Sequence, residues 1–214
     1  MSTSAAAARV MYSPSAFAAA DPIAIVKKYP FAHLITAVDG QTYATPTPIF
    51  FETDDTTATL VGHLTRINPH ADALQSGQRV LAVFPGPHTY ISASWYKTLL
   101  TVPTWDYVSA QLRGHIELID DDEGQIKVLR RVAQVLERDN EHPWTLEQAP
   151  PGKVQQLLPR IRSFRITVER IEGVTKLNQT HPASDRLLII QQLLARQDSD
   201  SREIARLMAS LPTT

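Results

Sequence analysis

The sequence predicts a mainly β fold with added helices, an α+β chain whose strands form a closed or split barrel. Three observations carry this. Runs of alternating apolar and polar residues recur, separated by Gly, Pro and Asp-Gly punctuation. The helical stretches are inserted among these runs instead of alternating with them, which argues against a doubly wound sheet. The eight glycines, at 40, 62, 77, 86, 114, 124, 152 and 173, are nowhere closer than nine residues apart. That spacing removes the Gly-rich dinucleotide fingerprint and the Walker-type phosphate loop.

Taken in order, Asp21-Pro22 ahead of Ile23, Ile25 and Val26 is the cap and first-turn proline of a short helix that stops before Pro30. Residues 31–38, the Asp39-Gly40 turn and residues 41–52 form a β-hairpin. Pro46 and Pro48 cannot donate to a ladder, so the second arm is an edge, a bulge or a ligand-facing segment. A third strand covers 57–64, and Asn68-Pro69 opens a helix through Leu74. The fourth strand covers 79–84; Pro85-Gly86-Pro87 breaks it, and extended structure resumes over 89–92. A long strand over 105–119, with a bulge at Gly114, ends at Asp120-Asp121-Asp122. A helix over 123–139 then turns Ile126, Leu129, Ala133 and Leu136 inward. After a short helix over 154–158, the last strand runs 163–171 and two tail helices cover 184–194 and 202–211. The expected organisation is a flexible N-terminal arm over 1–10, a barrel domain over 11–175 and a helical appendage over 176–214.

With 43% hydrophobic and 20% charged residues in 214, the chain has the balance of a folded domain. It contains no cysteine, which excludes disulfides, thiolate nucleophiles and iron–sulfur ligation. The alanine-rich start is too short to span a bilayer and lacks the basic beginning of an export signal, so a cytoplasmic protein without membrane contact is expected. No Gly-x-Ser-x-Gly elbow or His-Glu-x-x-His motif occurs, and the seven histidines show no helical ligand spacing, so no metal site is expected. With 21 basic and 22 acidic side chains there is no overall field to attract a polyanion.

Two stretches carry chemistry. In Gly62 to Pro69 a strand ends in a hydroxyl, a guanidinium and a helix start within a few residues. These are the parts of a phosphate site, or equally of a capped helix with a surface arginine. Between 90 and 107 lie two of the three Trp and three of the six Tyr, in proline-rich segments. Such aromatic density fits a flat ligand, a subunit contact or an aromatic cluster closing a barrel end.

Further residues carry a resemblance. Met11-Tyr12 with Pro14 and Phe17, Gly62-His63 with Arg66 and Asn68-Pro69, Gly86-Pro87-His88, Tyr90-Ile91-Ser92, Ser94-Trp95-Tyr96 and Val102-Pro103-Thr104-Trp105-Asp106-Tyr107 keep the order and spacing of the PaiB family of transcriptional regulators. Ile171-Glu172-Gly173, Lys176-Leu177-Asn178-Gln179 and Asp185-Arg186 resemble that family's C-terminal signature. The resemblance implies an FMN-binding split β-barrel related to pyridoxamine-phosphate oxidases and flavin reductases, working as a homodimer with FMN in clefts between subunits. It places the phosphate at Thr65 and Arg66, with His63 and Asn68 lining the site. It puts the flavin ring near Ser92, Trp95, Tyr96 and Trp105, with Lys176 and Gln179 reaching in from the partner chain. The chain departs from the pattern at Ala93 (usually Pro), Asp106 (Asn), Asn178 (Ser) and Thr180 (Asn). A carboxylate at 106 lining the cleft would repel a flavin phosphate.

The implied function is negative regulation of transcription. The alternative is a flavin-dependent oxidoreductase, such as a flavin reductase using FMN and a nicotinamide cofactor, with His63 or His88 as proton donor. Some related barrels bind haem through a histidine, and no residue here selects that use. DNA binding would have to rest on local patches, either Arg160, Arg162, Arg165 and Arg170 or the arginines of the tail helices.

Overall fold

The computed structural model describes residues 11–54, 57–98 and 101–212; the arm expected over 1–10 lies outside them. A seven-residue helix, α1 (Pro22–Lys28), leads into β1 (Phe31–Val38). Alternation buries Ala32, Leu34 and Thr36 on one face of β1. Asp39 and Gly40 both take positive φ, 49° and 81°, the conformation that folds a strand back as a tight hairpin. The chain returns as β2 (Gln41–Phe51), paired from Val38↔Gln41 to Phe31↔Pro48. Next come β3 (Thr59–Thr65), α2 (Pro69–Ala73), β4 (Arg79–Ile91) and β5 (Thr104–Ile119). They are followed by α3 (Asp122–Glu137), α4 (Lys153–Leu157), β6 (Ile161–Lys176), α5 (Ala183–Leu194) and α6 (Ser199–Ala209).

The chain divides into two compact bodies, one of residues 26–84 and 111–171, the other of residues up to 25, 85–110 and from 172 on. All six strands take part in the first body, closing in the order β1-β2-β3-β6-β5-β4. Leu34, Ile49, Leu60, Phe84, Leu112, Ile116, Phe164 and Ile166 are fully buried in this body. Each contributes about 1.5–3 kcal/mol relative to exposure. α3 is capped by Asp121, whose Oδ1 accepts from Gly124 N at 2.8 Å, and packs Val128 against Val61 and Ile119.

Three local expectations are corrected here. β4 is not broken at Pro85-Gly86-Pro87. Successive N–H groups of a strand point to opposite sides, so prolines two apart strip donors from one side only and the chain stays extended. The segment re-phases the strand instead: Val80, Ala82 and Phe84 are buried before it, Pro87, Thr89 and Ile91 after it. Gly114 is not a bulge, because burial alternates in phase from Asp106 to Ile116. It is a point of close approach, where a Cβ would lie 2.1 Å from the Thr167 carbonyl oxygen of β6. In α3 the buried residues are Gln125, Val128 and Ala133. Leu129 and Leu136 face a hollow of about 440 Å³ with Trp144, Val154 and Leu157, whose presence no helical period reveals.

In the second body β6 runs past its expected end at Ile171 because the N-terminal segment pairs with it. Ala18 bridges Val174, Ser13 Oγ donates to the Gly173 carbonyl at 2.9 Å and Thr175 N donates to the Phe17 carbonyl at 2.8 Å. α5 and α6 bury Ile189, Leu193, Ile204, Ala205 and Met208. Asp198 caps α6, accepting from Ser201 N at 2.7 Å. Among the described residues no helix is long and apolar enough to cross a membrane.

Candidate functional site

The ten residues expected at the site fall into two groups, four in the barrel body and six in the second body. In the barrel body β3 ends at Thr65, and its register with β6, Leu64↔Arg162 and Thr65↔Ile161, decides what stands beside it. Arg66 N donates to the Arg160 carbonyl at 2.8 Å. The Arg66 Nη2 and Arg162 Nε atoms lie 3.9 and 4.0 Å from the same oxygen, Asp120 Oδ1. Neither distance is a hydrogen bond. Arg162 Nη1 donates to the Ala71 carbonyl at 2.7 Å, which fixes the guanidinium, while its buried Nε has no hydrogen-bond partner. Two forked cations thus converge on one point beside the end of β3, and such a pair of guanidiniums can hold an oxyanion such as a phosphate.

His63 and Asn68 stand differently. His63 is half-buried, its imidazole pKa pushed down by burial, and its carbonyl accepts from Thr47 Oγ1 at 2.8 Å. Asn68 caps α2: its Oδ1 accepts from His70 N at 2.9 Å and its Nδ2 donates to Thr45 Oγ1 at 3.2 Å. Since α2 has only five residues and Asn68 already occupies the His70 N–H, the expected supply of free helix-start donors is not there. The charge at the corner comes from arginines. His70, unremarked in the sequence, is buried with its Nε2 and Nδ1 each 2.9 Å from a threonine hydroxyl, Thr36 and Thr45, and its ring stacks on Tyr43.

In the second body Trp105 is 52% exposed and meets His88 and Tyr90 at ring-centroid distances of 5.4 and 6.4 Å. The three line an open hollow of about 340 Å³ with Arg196 and the first turn of α6. Trp95 lies under the Arg196 guanidinium at 4.9 Å. Ser92 Oγ caps a 3-10 turn over Ala93–Trp95, accepting from Ser94 N at 3.3 Å. The other three are engaged within the chain. Tyr96 is buried and donates to Asn178 Oδ1 at 2.7 Å, its hydroxyl pKa pushed up to about 12, chiefly by burial. Lys176 Nζ donates to Thr104 Oγ1 and the Trp105 carbonyl. Gln179 accepts from Leu177 N and donates to the Thr175 carbonyl, both at 2.6 Å.

Asp106, expected to threaten a flavin phosphate, has no exposed surface. Its Oδ2 accepts from Asn178 Nδ2 at 2.7 Å and its Oδ1 is buried without a partner. Burial is the main force raising its pKa to about 7. Asp185, of the C-terminal signature, is likewise wholly buried and accepts from Lys97 N and Thr98 N, both at 2.9 Å.

The six strands close into an antiparallel barrel of the split β-barrel class, with an arginine corner at the end of one strand pair. The chain belongs to the family described as "Putative FMN-binding domain", whose sequence profile matches residues 11–170, and FMN is the cofactor this assigns to it. The chain is 29% identical over 201 residues to the protease synthase and sporulation protein PAI 2 of Bacillus subtilis, covering 92% of this chain and 96% of that protein. The fold is shared with solved structures of low identity. The flavocytochrome Anf3 of Azotobacter vinelandii aligns with a TM-score of 0.57 at 17% identity, over 74% of this chain and 69% of its own. The conserved hypothetical protein Rv2991 of Mycobacterium tuberculosis aligns with a TM-score of 0.54 at 16% identity, over 80% and 94%. The corner fits the phosphate of FMN in kind: it offers two guanidiniums, one of which has a buried N–H donor lacking an acceptor.

Arg162 is the binding candidate that sequence reasoning passed over. It was visible only as one of a run of arginines suited to DNA; cross-strand register, which puts it next to Arg66, is not written in either segment alone.

Proposed function

We propose that this chain is a PaiB-like transcriptional regulator that holds FMN as a cytoplasmic homodimer. The family match over residues 11–170 carries the reading, and similarity to PAI 2 over almost the whole chain extends it to regulation. In this reading Thr65 and Arg66 bind the phosphate, with His63 and Asn68 shaping the corner behind them. In the homodimer's inter-subunit cleft the flavin ring meets Ser92, Trp95, Tyr96 and Trp105, with Lys176 and Gln179 contributed by the partner chain. The isoalloxazine supplies the redox or sensory chemistry; the protein's part is to bind and orient it. No observation favours the flavin-reductase alternative.

Titration of the purified protein with FMN and with riboflavin, followed by flavin fluorescence, tests the reading. FMN is expected to bind, and Arg66→Ala to weaken FMN far more than riboflavin. Equal loss of both ligands removes the phosphate assignment. Light scattering of the purified protein tests the homodimer, and a monomer in the presence of saturating FMN refutes it. Retarded migration of promoter DNA, lost steeply as salt rises, tests the regulatory role.

A further inference from the structure

We infer that Asp120 is a built-in competitor for the phosphate: its carboxylate occupies the point on which Arg66 and Arg162 converge, and a phosphate monoester displaces it. The inference rests on the reading of this corner as the FMN phosphate site. A single oxygen, Asp120 Oδ1, stands 3.9 Å from Arg66 Nη2 and 4.0 Å from Arg162 Nε. Both are attractive charge contacts, and both fall short of hydrogen bonding. The buried Arg162 Nε–H is left with no acceptor, a state that native proteins rarely tolerate without a ligand or water to relieve it. The arginine cannot swing away to find one, because its Nη1 is bonded to the Ala71 carbonyl.

A carboxylate on a short side chain reaches towards this spot without closing on it. A phosphate monoester is free to approach, carries up to two charges and presents three terminal oxygens, enough to bond both guanidiniums at once. Asp120 is well placed to yield. Its side chain is 61% exposed, it lies between β5 and α3 in neither element, and the fixed cap of the helix is its neighbour Asp121. Among the following acids Glu123 is already paired with Lys127 at 2.8 Å. Among the described residues Asp120 is therefore the carboxylate whose charge falls directly on the two arginines. Its presence holds the corner assembled without ligand and lowers affinity for any anion, which makes occupancy responsive to the concentration of the phosphorylated flavin.

The test compares wild type, Asp120→Asn, Asp122→Asn and Arg162→Lys by fluorescence titration with FMN and riboflavin at low and moderate ionic strength. Asp120→Asn is expected to tighten FMN about two- to fivefold, as for removal of a partly exposed charge, with riboflavin unchanged and the gain shrinking with salt. Asp122→Asn, which removes an exposed acid that contacts neither arginine, should leave FMN affinity unchanged. Arg162→Lys keeps the charge but deletes the Nε–H and should weaken FMN alone. The inference is overturned if wild type binds FMN and Asp120→Asn binds it no more tightly, or if Asp122→Asn gives the same gain. If wild type binds no FMN, the cofactor reading fails at this site. Thermal melts with inorganic phosphate then decide: greater stabilisation of Asp120→Asn than of wild type upholds the competitor role, and equal melts overturn it.

Discussion

The Asn178 side-chain amide donates to the Asp106 carboxylate at 2.7 Å, and these are two of the positions at which the PaiB resemblance implies other residues. The departures belong together. An acid at 106 has no water to solvate it, and a side-chain amide at 178 supplies it with a donor while accepting from Tyr96 on its other end. What the sequence offers as a threat to flavin binding is, in the fold, a buried polar pair in the second body.

This pair sets a pH dependence. Asp106 has its folded pKa raised to about 7, mainly by burial, above an unfolded value near 3.9. Between those values the folded state holds a proton that the unfolded state has lost, so stability falls as pH rises from about 4 to about 7 and levels off above. Asp106→Asn removes this contribution and keeps an oxygen to accept from Asn178. The variant is expected to gain about 2–4 kcal/mol over wild type at pH 8 and little at pH 4. Chemical denaturation at the two pH values checks it; parallel profiles for the two proteins would refute the assignment.

Gly114 is expected to tolerate no side chain. Gly114→Ala puts a methyl 2.1 Å from the Thr167 carbonyl oxygen, a backbone atom held by the β3–β6 ladder through the Thr59↔Thr167 pair. The cost should be about 2–5 kcal/mol, the range of core overpacking and backbone strain. Urea melts measure it, and a loss under about 0.5 kcal/mol, typical of a surface change, would mean that β5 and β6 are not this close.

His70 is expected to behave as a structural, neutral imidazole. Burial pushes its pKa below the usual histidine value, so its contribution is present above about pH 6.5 and is lost as pH falls and the unfolded chain takes the proton. His70→Phe leaves the buried Thr36 hydroxyl unpaired and should cost about 1–3 kcal/mol. Adding Thr36→Val should return part of that loss, since removing both partners costs less than removing one. A double-mutant cycle with no coupling would show that the hydroxyl and the ring do not bond.

Much of the fold is legible in local sequence because the devices that make it are local. The Asp39-Gly40 hairpin, the Asn68 and Asp121 caps and the alternation in β1 and β5 each declare themselves within a few residues. What escapes is anything set by residues far apart in the chain. The extension of β6 to Lys176 depends on pairing with Ala18, and the inward face of α3 is rotated by a hollow whose other wall is 144–157. The site divides in the same way. Arg66 is readable from its place after a strand, whereas Arg162 and Asp120 join it only through the β3–β6 register and the turn that follows β5.

Pro46 and Pro48 have a protective consequence. The β2–β3 ladder covers Ile49 to Phe51, so among the described residues the earlier half of β2 has a backbone ladder with β1 alone. Ile49 N donates towards the β1 side, to the Pro30 carbonyl, so the nitrogens of residues 46 and 48 face the opposite side, towards β3, where Thr47 Oγ1 donates to the His63 carbonyl. At those places an approaching foreign strand finds no hydrogen to accept. The stretch of β2 without a backbone ladder to β3 is thus also a poor template for self-association.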